Sequence, residues 1–518
     1  MRSQWLYMPY LLLSAAFIIV NVTTLGNQAP WIDEVMFLDV SYNAAVHGSW
    51  DTTAWYRVAG QYPFPTYPPL YQLLATVWIW LFGSSMVTVR SLNLLITLML
   101  GVVCLRLMRH RGLPLSPWTT ALFTVLLWGS SEMACIYRNG RPDMLCALMS
   151  ALTLQAVDSH LSAKSAATRI AVIATSALLL CSGIQAAVYF CVLCVFVLVV
   201  SQKLQIHTSD AIRTRAVRLL ALLLTGFLLG LLLVSLFMLA HGRLVGFVSS
   251  IVQYSATLSH LALGVLPWAG KVFGFSAAPY TQKLLELNTE PALGQRLASI
   301  ADAHSFVLLS VLALAVCVVS CRCRLRKLLS DKVFLTLLFA LCVPVAMNMA
   351  GRFAVYYRWM AFLPLAVGVT AIAARRRLWC GMFGAVAVGL AVAGVRSMMP
   401  GAHWDSANLY AFVQRQHFKP TDAVVCPFSV FYEMKPVCDT CYFAGIFPTE
   451  YIGHVDYIIE PTDGEGLERR ITDYIRQLQA DTTVVLTVAD RCERPSLTLY
   501  KVRSRKELSC GRPKAAPW

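Results

Sequence analysis

Long apolar runs recur from residue 5 to residue 397, and they constrain the fold of this chain more than any other feature. Each run is close to the roughly 20 residues that an α-helix needs to cross a bilayer. The run 168–201 is too long for one span and short for two, so two spans and a re-entrant pair both fit it. The pattern predicts about eleven transmembrane helices, at 5–25, 88–107, 115–133, 142–158, 168–184, 186–201, 216–240, 305–320, 333–350, 355–373 and 378–397.

The composition also indicates a polytopic membrane protein. Of the 518 residues, 57% are hydrophobic and 14% are charged, and the mean hydropathy is +0.61. A soluble domain has roughly a quarter of its residues charged. The first run follows a short basic start, but no convincing cleavage site precedes residue 33, so we interpret it as an uncleaved first helix rather than a signal peptide.

The charges of the connecting loops predict the orientation. Lys and Arg are enriched in cytoplasmic loops, and with the N-terminus inside every basic loop falls on the cytoplasmic side. The net charge of +16 therefore does not require a nucleic acid partner. The acidic residues fall on the opposite, outer side, which brings Asp33 and Asp143 to the same face of the membrane. The residues after 400 are predicted to lie on that side as well.

The segment 64–83 is apolar, yet counting it as a span would invert the parity of every later loop. We therefore predict a helix that lies in or against the outer interface and begins near Pro68 and Pro69, where proline is tolerated. The first outer loop thus carries interfacial helices.

The tail changes character after about residue 400, where the apolar runs become short and charges return. Residues 422–426, 455–460 and 483–488 are typical of buried strands, and 466–479 of an amphipathic helix. The predicted fold is an all-α polytopic membrane domain over 1–399 and a small α/β domain over 400–518. Cys438 and Cys441 have redox or zinc spacing, for which a local disulfide or no bond at all is the expected state.

Three carboxylates, Asp33, Glu34 and Asp39, follow the first helix within seven residues, in a chain with 27 acidic residues among 518. Carboxylates are costly near hydrocarbon, so such a cluster indicates a functional site. A carboxylate here can accept a proton from an attacking hydroxyl, while its neighbour positions it or binds a metal. The alternative is an acidic pair favoured by the dipole of a helix N-terminus.

A second carboxylate, Asp143, opens the fourth predicted span at the outer surface. Its alternatives are helix capping and pairing with Arg138 or Arg141. Arg352, Arg358 and Arg90 lie at outer helix ends, where a guanidinium group suits phosphate recognition or contact with lipid headgroups.

Taken together, these motifs resemble a known family. Their order and spacing are similar to those of the polyprenyl-phosphate-dependent membrane glycosyltransferases with the GT-C fold, among them the protein O-mannosyltransferases and the bacterial lipid A aminoarabinose and galacturonic acid transferases. The resemblance covers about residues 1–160 by motif and extends to about 400 by hydropathy. The matching segments are Asp33-Glu34 with Asp39, Tyr67-Pro68-Pro69-Leu70-Tyr71, Leu81-Phe82-Gly83, Arg90, and Arg141-Pro142-Asp143-Met144-Leu145.

The resemblance implies a role for several of these residues. Asp33 would be the catalytic carboxylate and Glu34 its support, with Asp143 a second acidic residue of the same cavity. Arg358, before a Leu-Pro helix, would face the lipid phosphate. Relatives carry Glu-Lys or a histidine before the two prolines, where this chain has Thr66-Tyr67, so we assign no metal ligand and leave a divalent metal open. The other candidate substrate-binding residues are Arg352, Arg138, Arg141, Tyr67 and Arg90.

The implied activity is the inverting transfer of a sugar from a polyprenyl-phosphate carrier, on the periplasmic side of a bacterial inner membrane. The alternatives are a lipid-linked oligosaccharide ligase or polymerase, and a transporter or lipid flippase. A transporter is expected to show repeats and broken helices with polar residues at the midplane, whereas the acidic residues here lie at one surface. The sequence leaves the sugar open, and a lipid, a polysaccharide or a protein can be the acceptor.

Overall fold

The structure is a computed structural model in which helices predominate. The chain divides into two compact units, which we call the membrane unit (Met1–Asn21, Pro65–Leu74 and Arg90–Ser397) and the mixed unit (Val22–Phe64, Ala75–Val89 and Met398–Trp518). The structure describes residues 5, 7–50, 52, 54, 67–183, 210–245, 247–248, 303–320, 332–349, 355–375, 377–397, 404–443, 452, 454–462, 469–481 and 483–504.

A helix lies at every predicted apolar run except 186–201, which is outside the described residues. Of the sixteen α-helices in the described ranges, eleven lie at the predicted apolar runs. The first of these eleven is Met8–Thr24. The other ten are Met86–His110, Pro117–Gly129, Ser131–Tyr137, Asp143–Ala163, Ala166–Ser182, Asp210–Ala240, His304–Ser320, Lys332–Met349, Trp359–Arg375 and Arg377–Ser397.

The lengths of these helices identify an integral membrane protein. Within the described ranges, five helices are long and apolar enough to cross a membrane, or six if the pair Pro117–Gly129 and Ser131–Tyr137, bent by 60°, is one span. The break in that pair is at Ser130, whose hydroxyl accepts the Met133 N–H and so starts the second helix. Five further apolar helices have 10–17 residues. The count of about eleven spans and their orientation stay predictions.

Two helices of the membrane unit approach each other closely at glycines. A Cβ atom on Gly230, in Asp210–Ala240, would lie 2.6 Å from the Ala177 carbonyl oxygen in Ala166–Ser182. Gly226, one turn earlier, faces Ile173 in the same way. Glycines four residues apart let the backbones of two membrane helices come into contact.

A side chain at Gly230 should therefore separate these helices. We expect Gly230→Leu to destabilise the protein by about 1–3 kcal/mol, the usual cost of overpacking, and to lower the melting temperature in detergent. Gly389 in Arg377–Ser397 has open space around its Cβ position, so Gly389→Leu is the matched control. Equal melting temperatures for the two variants would contradict this close packing.

The described part of the mixed unit contains five strands, which are β1 (Ala423–Cys426), β2 (Thr440–Phe443), β3 (Tyr457–Pro461), β4 (Val484–Cys492) and β5 (Leu497–Ser504). They form one sheet in the order β2-β1-β3-β5-β4. β1 pairs in parallel with β2 and β3, while β5 runs antiparallel to both β3 and β4. The predicted strands at 422–426, 455–460 and 483–488 correspond to β1, β3 and β4, and the sequence did not indicate β2 and β5.

One amphipathic helix covers part of this sheet. Ile471 and Ile475 of Arg469–Ala480 are buried against Val425 of β1 and Ile458 of β3. The remaining helices are Ile32–His47, Leu70–Phe82, Ser406–Arg415 and Phe431–Met434. Leu70–Phe82 begins directly after the two prolines, as predicted, and its interfacial placement stays a prediction.

Candidate active site

The three clustered carboxylates lie on Ile32–His47, which we call the acidic helix. Asp33 and Glu34 are in its first turn, where the helix dipole favours negative charge. The helix ends at Gly48, whose φ of +67° is a conformation that glycine adopts without strain. Asp33 is half-buried, whereas Glu34 and Asp39 are fully buried.

Glu34 uses both of its carboxylate oxygens. Oε2 accepts the backbone N–H of Trp31 at 3.3 Å, which closes the first turn of the acidic helix. Oε1 accepts the hydroxyl of Tyr432 at 2.7 Å, across 398 residues of sequence. The Glu34 side chain is therefore held in one orientation by a local and a distant hydrogen bond.

Asp39 forms a buried ion pair. Lys435 Nζ lies 2.8 Å from Asp39 Oδ1, and the side chains are 2% and 0% exposed. The hydroxyl of Thr52 donates to Asp39 Oδ2 at 2.6 Å. Burial alone would lower the pKa of Lys435, but the charge of Asp39, the charge of Cys441 and the hydrogen bond to Asp39 together outweigh burial, and the pKa lies above its usual value. Lys435 is thus a cation that holds the middle of the acidic helix.

A thiol cluster lies on β1 and at the start of β2. Cys426, Cys438 and Cys441 are all buried, and no disulfide joins the described cysteines. The Cys441 thiol contacts the Cys438 carbonyl oxygen at 3.4 Å. Hydrogen bonds from Cys426 and Cys438, together with the charge of Lys435, hold the pKa of Cys441 below its usual range. The 438–441 spacing therefore belongs to a cluster of three thiols rather than to an isolated pair.

In the membrane unit, Asp143 and Arg141 form a second buried ion pair. Arg141 Nε lies 2.8 Å from Asp143 Oδ2, with exposures of 2% and 0%. The Arg141 guanidinium group also stacks on the ring of Tyr356, 4.0 Å from its centroid. Asn93 donates to the Arg141 carbonyl oxygen at 2.9 Å and so fixes the loop. Of the predicted alternatives for Asp143, pairing with Arg141 is the one that the geometry shows.

Two more guanidinium groups are buried in the same unit. Arg90 and Arg138 are 1% and 3% exposed, and Arg138 donates to Asn21 Oδ1 at 2.6 Å. Burial and the positive charge of Arg90 lower the pKa of Arg138 to about 10, although Tyr137 acts in the opposite direction. Arg138 therefore stays protonated at neutral pH.

The structure describes two of the three remaining predicted site residues of the membrane unit, Tyr67 and Arg358. Burial, and then the nearby Tyr357 and Asp143, raise the pKa of the Tyr67 hydroxyl well above its usual value. Arg358 is half-buried, and its carbonyl oxygen accepts the backbone N–H groups of Ala361 and Phe362 in Trp359–Arg375. Arg352 lies outside the described residues.

Three guanidinium groups are buried around the loop 138–143. Within the described residues of the membrane unit, Arg90, Arg138 and Arg141 are buried here together with the carboxylates of Glu132 and Asp143, and Asp143 pairs with Arg141. Such a set of fixed guanidinium groups suits an anion with several oxygens. A search of the described residues finds no group of three or more His, Cys, Asp or Glu side chains that fits a metal ion.

Asp33 and Glu34 lie in the mixed unit, while the arginines, Tyr67 and Asp143 lie in the membrane unit. Sequence reasoning missed Tyr432 and Lys435, since nothing in their local sequence connects them with the acidic helix. It also missed the role of Tyr356 as a stacking partner of Arg141, although Tyr356 lies two residues before Arg358.

No protein-family model matches this chain, and no curated protein sequence does. Solved structures do match. The chain is similar to ArnT from Cupriavidus metallidurans in the apo state, with a TM-score of 0.48 and 14% identity over 97% of this chain and 99% of that one.

Two further structures show a comparable likeness. ArnT from the same organism, bound to undecaprenyl phosphate, matches with a TM-score of 0.45 and 13% identity over 94% of this chain and 97% of that one. The Archaeoglobus fulgidus oligosaccharyltransferase, tethered with an acceptor peptide containing the NVT sequon, matches with a TM-score of 0.46 and 10% identity over 88% of this chain and 69% of that one.

The fold thus defines an integral membrane protein with a mixed sheet in its tail. At these identities and TM-scores, the function of this chain has to be argued from its own residues.

Proposed function

We propose that this protein transfers a sugar from a polyprenyl-phosphate carrier to an acceptor on the outer face of the membrane. The observation that carries the proposal is the set of three buried guanidinium groups, Arg90, Arg138 and Arg141, around the loop 138–143, within a unit built of apolar helices. A ligand with a long apolar chain and a phosphate group matches both properties.

The arginines supply the binding site for the donor phosphate. Arg141 is fixed by Asp143 and by the ring of Tyr356, so its guanidinium group needs little reorganisation to bind an anion. Arg90 and Arg138 add two further buried positive charges that attract a phosphate. Arg358 and Tyr67 would complete the site on the same unit.

Asp33 is the base in this proposal. Glu34 and Asp39 are buried in the contacts that hold the acidic helix, whereas Asp33 keeps an exposed part of its side chain. The acceptor O–H or N–H attacks the anomeric carbon, and Asp33 takes the proton. The bond from the anomeric carbon to the phosphate oxygen breaks, and the polyprenyl phosphate leaves with the electron pair. This single displacement inverts the sugar configuration.

The acceptor class remains an outcome of experiment. The purified chain is reconstituted in liposomes with a labelled polyprenyl-phosphate sugar and with acceptor fractions of lipid, polysaccharide or protein. The release of polyprenyl phosphate that depends on the chain and on one fraction supports the proposal. Movement of the intact carrier between leaflets without cleavage would instead indicate a flippase.

Arg141 provides a separate test of phosphate binding. We expect Arg141→Lys to raise the Kd for undecaprenyl phosphate about tenfold or more, because lysine keeps the charge that Asp143 needs but lacks the planar fork. Arg111→Lys is the matched control, since Arg111 Nε pairs with Asp158 Oδ1 at 2.7 Å, near the opposite end of Asp143–Ala163. Equal affinities for both variants in nanodiscs would exclude Arg141 from the phosphate site.

A further inference from the structure

The short helix Phe431–Met434 follows β1 and the Pro427–Val430 turn, and one face of it contacts the acidic helix. Tyr432 donates its hydroxyl to Glu34 Oε1 at 2.7 Å, and both side chains are buried. Lys435, three residues later, lies 2.8 Å from Asp39. All four residues belong to the mixed unit.

Two anchors at different heights determine both the position and the rotation of the acidic helix. Glu34 and Asp39 are five residues apart, which is about 7.5 Å along a helix axis. A single contact would leave the helix free to turn about it, whereas two contacts of this spacing do not. The first anchor is in the same turn as Asp33, so it has the more direct effect on where the Asp33 carboxylate lies.

The hydrogen bond from Tyr432 also fixes the first turn of the acidic helix, through Glu34. The second oxygen of Glu34 accepts the Trp31 N–H and closes the first turn. The Tyr432 hydroxyl thus fixes the side chain of Glu34, and Glu34 in turn fixes the first turn of the acidic helix. Loss of the hydroxyl removes this buried hydrogen bond to Glu34 and loosens the turn that carries Asp33.

We infer that Tyr432 is a positioning residue for Asp33, acting through Glu34, so that a tail residue sets the geometry of the base in the first outer loop. The inference rests on the proposed function, because it assigns Asp33 the role of base. Tyr432 itself contacts no substrate in this scheme. The tail therefore contributes to the rate of transfer and not to donor binding.

The test begins with Tyr432→Phe, which keeps the aromatic ring and removes the hydroxyl. We expect kcat for sugar transfer to fall by up to about a hundredfold, the loss that a misplacement of about 1 Å brings, with KM for the donor unchanged. In a Glu34→Ala background, Tyr432→Phe should have no further effect on kcat. Tyr500→Phe is the matched control, because the Tyr500 hydroxyl donates to Glu460 Oε2 at 3.0 Å within the sheet.

A second measurement does not depend on activity. Hydrogen exchange of the backbone amides at 31–35 should be faster in Tyr432→Phe than in the wild type and in Tyr500→Phe, while exchange in β1 and β3 should not change. If the wild type transfers no sugar, the proposed function fails, and this exchange still decides whether Tyr432 holds the first turn. Unchanged kcat, a full effect of Tyr432→Phe without Glu34, or unchanged exchange at 31–35 would each overturn the inference.

Discussion

Replacing Asp33 with asparagine is expected to reduce the rate of sugar transfer by about 10²-fold to 10⁴-fold, the loss that removal of a general base brings. Asparagine keeps the shape of the side chain but cannot take the proton of the acceptor. The anchors of the acidic helix are Glu34 and Asp39, so the variant should fold. The measurement is the initial rate of polyprenyl phosphate release in proteoliposomes at saturating donor.

The matched control is Asp473→Asn. Asp473 is an exposed carboxylate on Arg469–Ala480, where it pairs with Arg476 at 2.9 Å, and its loss should leave the rate unchanged. The Kd of Asp33→Asn for undecaprenyl phosphate should equal that of the wild type, because the arginines of the membrane unit bind the phosphate. An Asp33→Asn rate near that of the wild type would remove Asp33 as the base.

The helices of the membrane unit could be predicted from the sequence because apolar length is a local property. The run predicted at 88–107 lies within Met86–His110, and the run at 378–397 corresponds to Arg377–Ser397. The bend at Ser130 is harder to predict, because the apolar run 115–133 continues through it. The signal for the bend is a single residue of that run, Ser130, whose hydroxyl caps the next helix. Apolar length therefore predicts where helices lie better than how many spans they make.

The sheet shows where local pattern is insufficient. β1 and β3 are short apolar strands that pair in parallel inside the sheet, and their sequences predicted them. β5 lies between β3 and β4 but carries Lys501 and Arg503, so its sequence resembles a surface segment. Its pairing with two neighbouring strands, rather than its own hydrophobicity, places it in the sheet.

The candidate site also contains residues that the local sequence indicates and residues that only the tertiary fold reveals. The sequence indicates Asp33 and Glu34 as a candidate pair because carboxylates are scarce in this chain and costly beside an apolar run, and their catalytic role stays a prediction. The partners Tyr432 and Lys435 could not, because a tyrosine and a lysine in a polar tail are ordinary there. Contacts that join residues 398 apart in sequence arise only from the tertiary fold.

Lys435→Met is expected to destabilise the mixed unit by about 3–5 kcal/mol, the cost of leaving one member of a buried ion pair without its partner. Methionine matches the length of lysine, so little packing is lost and the effect comes from the Asp39 charge. Urea-dependent proteolysis of the tail in the reconstituted full chain measures the difference. A Lys435→Met variant as stable as the wild type would show that this pair does not hold the acidic helix.

The double variant Asp39→Asn with Lys435→Met separates charge from packing. It removes both charges, and an asparagine at 39 can still accept the Thr52 hydroxyl, so most of the lost stability should return. The pH dependence has a definite sign, because the pKa of Lys435 in the folded state lies above the ordinary value of 10.5. The contribution of the pair is therefore complete below pH 10.5 and is lost as the pH rises through the folded-state pKa. The stability difference between the wild type and Lys435→Met should accordingly stay constant from about pH 7 to pH 9, and a difference that shrinks in this range would assign the stabilisation to another group.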